Sequence, residues 1–282
     1  MCDMDEIKRV LDEVRSDNIS GSGTLLQELT TGLLTLCTEE QDTPEISSQE
    51  LLHLFASFRN EMNDFAVVSH FCNYIIENIE KENAELPNLK SVISKYIEKW
   101  RDINDRVTEA FLNSVDIRSK TVLLHSQSST IISLFKKFKE ISHETVIIQT
   151  ESRPVLEGRK QAEELAQMGF HVNIVTDTGF TPLLDKIDMA ILGADRIYKD
   201  HFINKTGSYA IALLCREKNI PVYVLADSRK YLKSVYTDTK PEKLRTAGEV
   251  WNDPPESISP VNYYFETVPI KLVSEFFSEK DQ

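Results

Sequence analysis

The 282-residue chain is 41% hydrophobic and 27% charged, long enough to bury one large core or two ordinary ones without a disulfide or metal staple. Its formal net charge of -13 repels polyanions and argues against nucleic acid as a direct partner. The same charge confines any phosphate site to a local device, a helix N-terminus with one or two cations.

No apolar stretch approaches the roughly 18 residues of a membrane span, and the acidic start MCDMDEIKRV lacks the apolar run of a signal peptide. No membrane contact and a cytoplasmic location are therefore expected. Cys2, Cys37, Cys72 and Cys215 form no C-x-x-C pair, and no histidine stands at metal-ligand spacing from one. Buried thiols in a reducing compartment are expected, with no metal.

From residue 1 to 117 the periodicity is helical. MDEIKRVLDEV sets Ile7, Val10, Leu11 and Val14 on one face, at spacings of three and four. Asp17, Asn18, Ser20, Gly21 and Gly23 interrupt the pattern, and Leu25, Leu26, Leu29, Leu33 and Leu34 resume it. EISSQELLHLFASF and DFAVVSHFCNYIIENIEKE continue in helical period. YIEKWRDINDRVTEAFLNSV carries a stripe of Trp100, Ile103, Val107, Phe111 and Leu112. An N-terminal helical domain is predicted.

The texture changes at 118. TVLLHS, ETVIIQT, HVNIVTD, DMAILGA and IPVYVLAD are short β-branched runs, separated by the helical patterns STIISLFKKFKEI, LEGRKQAEELAQMG and TGSYAIALLCREKN. Strands alternating with helices build βαβ units, and continuous apolar strands need helices on both faces. Residues 118–282 are therefore expected to form an α/β domain around a parallel sheet. Gly169 stands where a glycine ends a helix. The tail PVNYYFETVPIKLVSEFF reads as one more short strand and a closing helix. No G-x-G-x-x-G follows a strand and no G-x-x-x-x-G-K-S/T occurs, so no nucleotide cofactor is expected.

Ligands of open parallel sheets sit outside the carboxyl ends of the strands. The groups expected there are His125, Ser126, Gln127 and Ser128 after the first strand, and Arg153 after the second. Asp195 follows the fourth strand, with Asn204, Lys205 and Thr206 ten residues on, and Asp227, Arg229 and Lys230 follow the fifth. Asn204-Lys205-Thr206-Gly207-Ser208 opens a helix whose free amides, dipole and lysine suit a phosphate, although an ordinary capped helix start looks the same. Arg153, stiffened by Pro154, presents a fork for a phosphate or for a surface ion pair. Asp195 is a candidate acid/base, or the residue that orders its loop. Gly21-Ser22-Gly23 either approaches a ligand or caps a helix, and His125 either donates to a ligand or is a satisfied structural residue.

Together these segments resemble one family, which unites the alpha, beta and delta subunits of translation initiation factor 2B with aldose-phosphate isomerases. ESRPVLEGRK resembles the family's E-S/T-R-P-x-x-x-G, ILGADRI its I/V-L/V-G-A-D/E-x-I/V, and INKTGSYAIAL its N-K-I/T-G-S/T helix start. VYVLADSRKY resembles F/Y-Y-V-x-A-E-S-x-K-F/Y, NYYFETVP resembles N-x-x-F-D/E-x-T/V-P, and DNISGSG resembles the N-terminal glycine-containing loop. The match runs in consistent order along nearly the whole chain.

The resemblance implies a helical domain followed by a Rossmann-like domain, and a homodimer or an assembly with related subunits. The family's methylthioribose-1-phosphate and ribose-1,5-bisphosphate isomerases use a cysteine after the first Rossmann-like strand, in T-H-C, and an aspartate in G-A-D. Asp195 matches the aspartate, while Ser126 stands in the cysteine's place. A thiol of pKa about 8.5 can be poised for proton transfer, whereas an alcohol needs a dedicated base. No such base is visible in the sequence. The isomerases' R-G-A loop is here Ile19-Ser20-Gly21-Ser22-Gly23, without arginine.

The implied function is an initiation factor 2B-like protein that binds a phosphorylated sugar or nucleotide monophosphate. Asn204, Lys205 and Thr206 would hold the phosphate with Arg153 and Lys230, and Ser126, Gln127 and Ser128 would line the sugar side. The alternative is an aldose–ketose isomerase acting on a sugar 1-phosphate, in which Asp195 moves the proton and Ser126 donates a hydrogen bond.

Overall fold

The computed structural model describes residues 4–17, 20–36, 47–81, 88–142, 144–232 and 242–281. Cys2, Cys37, Asn18 and Ile19 lie outside the described residues. Compact units divide the chain between Asp102 and Ile103.

The first unit holds α1 (Met4–Ser16), α2 (Ser22–Leu36), α3 (Ser48–Glu61), α4 (Ala66–Lys81) and α5 (Leu89–Trp100). The sequence stripes become its core. Ile7, Val10, Leu11 and Val14 join Leu25, Leu26, Leu29 and Leu33, with Phe55, Phe58, Phe71 and Tyr96 from the later helices. Ser47 and Glu50 form a reciprocal capping box that starts α3. Gly21-Ser22-Gly23 is the opening of α2, where Leu25 N–H donates to Gly21 O at 3.1 Å.

The second unit begins with α6 (Ile103–Ser114), which sequence texture groups with the preceding helices. It continues through β1 (Thr121–Leu124), α7 (Ser129–Phe138), β2 (Val146–Thr150), α8 (Glu157–Gln167), β3 (His171–Val175), β4 (Met189–Leu192), β5 (Arg196–Ile197), β6 (His201–Lys205), α9 (Ser208–Glu217), β7 (Val222–Leu225), β8 (Phe265–Pro269) and β9 (Glu275–Phe277). Six strands form a parallel sheet in the order β3-β2-β1-β4-β7-β9, and β5, β6 and β8 form an antiparallel one. Alternate strand residues feed opposite faces. Val122, Leu124, Ile147 and Ile191 pack with α6 and α7, whereas Leu123, Ile148, Ala190, Leu192 and Val224 pack with α9. α6 belongs to this core, because Phe111 packs edge-on against Tyr223 and Phe277 at 5.6 and 5.2 Å.

Gly169 closes α8 as expected, with φ 96°, its N–H donating to Ala166 O and the Phe170 N–H to Leu165 O. The closing helix expected in the tail is instead β9, paired in parallel with Tyr223–Leu225. The residues of β9 satisfy their backbone groups by pairing with β7 rather than along a helix. As a strand they bury Phe277 on one face of the sheet and seat Phe276 on the other. Among the described residues no helix is long and apolar enough to cross a membrane.

The sheet order reverses between β1 and β4, and an open parallel sheet forms its ligand crevice at that switch point. The loops after these strands are close: a Cβ added to Gly193 would lie 3.1 Å from Ser128 Oγ.

Candidate functional site

The site is built from the way α8 starts. Between β2 and α8, Ser152 (φ 62°) and Leu156 (φ 65°) take left-handed backbone, and the chain folds back tightly. The Asp177 carboxylate holds this loop, accepting from the Ser152 and Arg153 N–H groups at 2.7 Å each. α8 then presses so closely on the end of β2 that a Cβ at Gly158 would lie 2.0 Å from Thr150 O. Glycine permits this approach, and it delivers the preceding residue, Glu157, against the loop that follows β1.

That loop turns at Ser126, φ 63°. The Ser126 N–H donates to Ser152 Oγ at 2.8 Å, and its hydroxyl donates to Glu157 Oε1 at 2.9 Å. The same oxygen receives Lys205 Nζ, from the end of β6, at 2.9 Å, with the Lys205 and Glu157 side chains only 5% and 6% exposed. The Lys205 ammonium also lies 5.0 Å from the Tyr264 ring centroid. Tyr264 in turn donates to Glu249 Oε2 at 2.5 Å, and the Arg245 guanidinium lies 5.1 Å from its ring centroid. Glu157 Oε2 is buried without a hydrogen-bond partner. Burial pushes the Glu157 carboxyl above the usual range, and Lys205 and Ser126 pull it back only in part.

Glu157 is thus the acidic partner that the sequence does not reveal for Ser126. Its only trace there is its place before Gly158 in ESRPVLEG; the two residues stand 31 positions apart and meet through the fold.

The other candidates divide. His125 is buried, with Nε2 donating to Thr206 O at 3.0 Å and Nδ1 2.6 Å from Thr150 Oγ1. A carbonyl can only accept, so Nε2 carries the proton and Nδ1 accepts from the threonine hydroxyl. Burial depresses the His125 pKa to about 4, and with both nitrogens engaged the ring supports its neighbours. Gln127 donates to Glu164 at 3.2 Å, and the Ser128 N–H donates to Gln161 at 2.8 Å while the Ser128 hydroxyl caps α7.

Asn204 and Lys205 end a strand rather than open a helix, and Asn204 donates to Ser208 Oγ at 2.8 Å. The Thr206 hydroxyl donates to Tyr263 O at 2.8 Å. The amides at the start of α9 are occupied: Glu266 Oε1 accepts from the Gly207 and Tyr209 N–H groups at 2.7 and 2.8 Å. Burial raises the Glu266 carboxyl, against the pull of those amides. An internal carboxylate stands where the helix-start pattern suggests a phosphate.

Arg153 is exposed, and its guanidinium donates to the carbonyls of Glu249 and Val250 at 3.4 and 3.1 Å. Lys230 is buried beside the Asp227–Arg229 pair, whose N–O distance is 2.8 Å. Asp195 is half-buried after β4, its N–H donating to Ile203 O at 2.9 Å. A cavity of about 510 Å³ lies away from these groups, between α8 and β3, lined by Arg159, Ala162, Ala166, Val172 and Ile174 among others.

A helical unit followed by a doubly wound parallel sheet with polar loops at its switch point defines a Rossmann-like protein of two units. The chain belongs to the Initiation factor 2 subunit family, whose model matches residues 65–280. It is similar to a translation initiation factor eIF-2B subunit 2-like protein of Pyrococcus abyssi, 26% identical over 233 residues, covering 82% of this chain and 81% of the relative. It is also similar to the ribose 1,5-bisphosphate isomerase of Archaeoglobus fulgidus, 23% identical over 253 residues, covering 88% and 79%. In fold it resembles the crystal structure of Pyrococcus horikoshii OT3 translation initiation factor eIF-2B, with a TM-score of 0.79 over 97% of this chain and 95% of that one, at 24% identity.

Proposed function

We propose that this chain binds a phosphorylated sugar or nucleotide monophosphate in the crevice at the C-terminal ends of β1, β2 and β4. In this reading it is an initiation factor 2B-like binding protein of the cytoplasm, working as a homodimer or with related subunits. The observation that carries the reading is the convergence on one atom, Glu157 Oε1, of the Ser126 hydroxyl and the Lys205 ammonium, each at 2.9 Å. A phosphorylated sugar offers the matching chemistry, hydroxyls for the carboxylate and serine and an anion for the ammonium. Lys205 is then the principal cation, with Arg153 and Lys230 flanking. Asn204 and Thr206 frame the strand end, and His125, Gln127 and Ser128 support the sugar side.

One observation favours a second reading, an aldose–ketose isomerase acting on a sugar 1-phosphate. Ser126 has the carboxylate partner that an alcohol needs for proton transfer, and Asp195 follows β4 at the same switch point. Asp195 then moves the proton, and Ser126 holds the reacting oxygen.

Incubation with ribose 1,5-bisphosphate and with methylthioribose 1-phosphate tests both readings. A stabilising thermal shift that shrinks in Lys205→Met and Arg153→Ala, with no ketose formed, supports binding. Ketose formation abolished by Asp195→Asn supports the isomerase. Neither a shift nor turnover removes both.

A further inference from the structure

Lys205 is already satisfied before any ligand arrives. Its ammonium is buried against Glu157 Oε1 at 2.9 Å, so an anion entering beside it meets a neutralised cation and a carboxylate of like charge. Glu157, however, is poorly held as an anion. Oε1 takes both donors, while Oε2 is buried with none. Burial disfavours a carboxylate in that condition.

Among the described residues Lys205 is the cation in direct contact with Glu157. Ser126 reaches it from the loop after β1, and Lys205 from β6. Tyr264, ahead of β8, is bonded to Glu249 and flanked by Arg245. His125, which feels the Lys205 charge, is kept neutral by burial.

We propose that Glu157 sets the anion affinity of this crevice: it is an internal competitor for Lys205, and a phosphate gains Lys205 only as Glu157 takes up a proton. The proposal rests on the phosphosugar reading above. In the exchange an O–H bond forms on the Glu157 carboxyl with a proton taken from solvent, and the Lys205–Glu157 ion pair gives way to a Lys205–phosphate pair. The protonated acid becomes a donor, which is the one role in which it can hydrogen-bond an anion. Glu157→Gln keeps the acceptor oxygen and the shape while removing the competing charge, so it strengthens anion binding.

Isothermal titration of the full chain with ribose 5-phosphate, in buffers of different ionisation enthalpy, tests this. At pH about 8 a phosphate monoester, with second pKa about 6, is a dianion that carries no proton into the site, so uptake seen in the wild type and absent from Glu157→Gln belongs to Glu157. The wild type is expected to take up about one proton per ligand, and Glu157→Gln none. The variant is expected to bind about tenfold tighter at that pH, the gain shrinking as pH falls toward about 5. The ratio of the two affinities cancels the ligand's own ionisation. Should Glu157→Gln fail to fold around an unpaired lysine, the wild-type proton count decides alone. Binding without proton uptake and with equal affinities overturns the proposal while the phosphosugar reading stands. No binding of ribose 5-phosphate or ribose 1,5-bisphosphate at any pH overturns both.

Discussion

Lys205 and Glu157 form an ion pair 2.9 Å long whose side chains are almost wholly removed from solvent. A buried pair stabilises little relative to an apolar pair of the same volume, but each partner depends strongly on the other. Lys205→Met is expected to cost about 3–5 kcal/mol near neutral pH, because it leaves a buried carboxylate without its cation. The double variant Lys205→Met/Glu157→Leu should recover most of that loss. Urea denaturation of the wild type, Lys205→Met, Glu157→Leu and the double variant gives the coupling directly, and additive losses would show that the pair is not a unit.

Gly158 is the residue that seats Glu157. A Cβ there would stand 2.0 Å from the Thr150 carbonyl oxygen and 2.8 Å from Ser152 Oγ, and the nearer obstacle is backbone that cannot swing aside. Gly158→Ala is expected to lose more than about 3 kcal/mol, or to displace the start of α8 and with it Glu157. Gly248→Ala is the control: its Cβ would meet nothing nearer than 3.7 Å, so its effect should stay within about 0.5 kcal/mol. Equal effects in the two variants would remove the steric account.

Much of this arrangement is legible in the sequence, and the remainder is illegible for a physical reason. The stripe of Ile7, Val10, Leu11 and Val14 and the β-branched runs announce themselves, because burial of one face imposes a local period. Gly169 is readable because a helix end has local chemistry. Glu157, Glu266 and Phe111 carry no such sign. Glu157 looks like any helix-start glutamate until Gly158 brings α8 onto β2, and Glu266 becomes the cap of α9 only through the pairing of β6 with β8. Phe111 sits on a stripe that any helix neighbour could cover, and its partners Tyr223 and Phe277 lie more than a hundred residues away. The segment of β9 is misread as helix because its pairing with β7 is likewise nonlocal.

His125 makes stability depend on pH in a definite direction. Burial depresses its pKa to about 4, whereas an unfolded histidine titrates near about 6.5. The unfolded chain therefore binds the proton more readily. The contribution of the neutral ring is complete above about pH 6.5 and is lost as pH falls toward about 4, at up to about 1.4 kcal/mol per pH unit. Denaturation midpoints of the wild type should fall over this window more steeply than those of His125→Gln, which is less stable at neutral pH but lacks the titration. Parallel pH curves would mean that the ring is not held neutral.

α6 fixes where the sheet's unit begins. Val107, Ala110 and Phe111 are buried in the same cluster as Val122, Ile131, Leu225 and Phe277, and the Thr130 hydroxyl donates to Asn104 Oδ1 at 2.9 Å. Apolar burial contributes about 25 cal/mol per Å², or about 1.5–3 kcal/mol for a side chain such as Phe111. Removing the helix also uncovers the Tyr223 and Phe277 rings that Phe111 meets. A fragment of residues 103–282 is therefore expected to unfold in one cooperative transition, while residues 118–282 should lose several kcal/mol and bind a hydrophobic dye such as ANS. Denaturation of the two fragments in parallel makes the comparison. Equal midpoints, with no difference in dye binding, would mean that α6 merely lies on the sheet without supporting it.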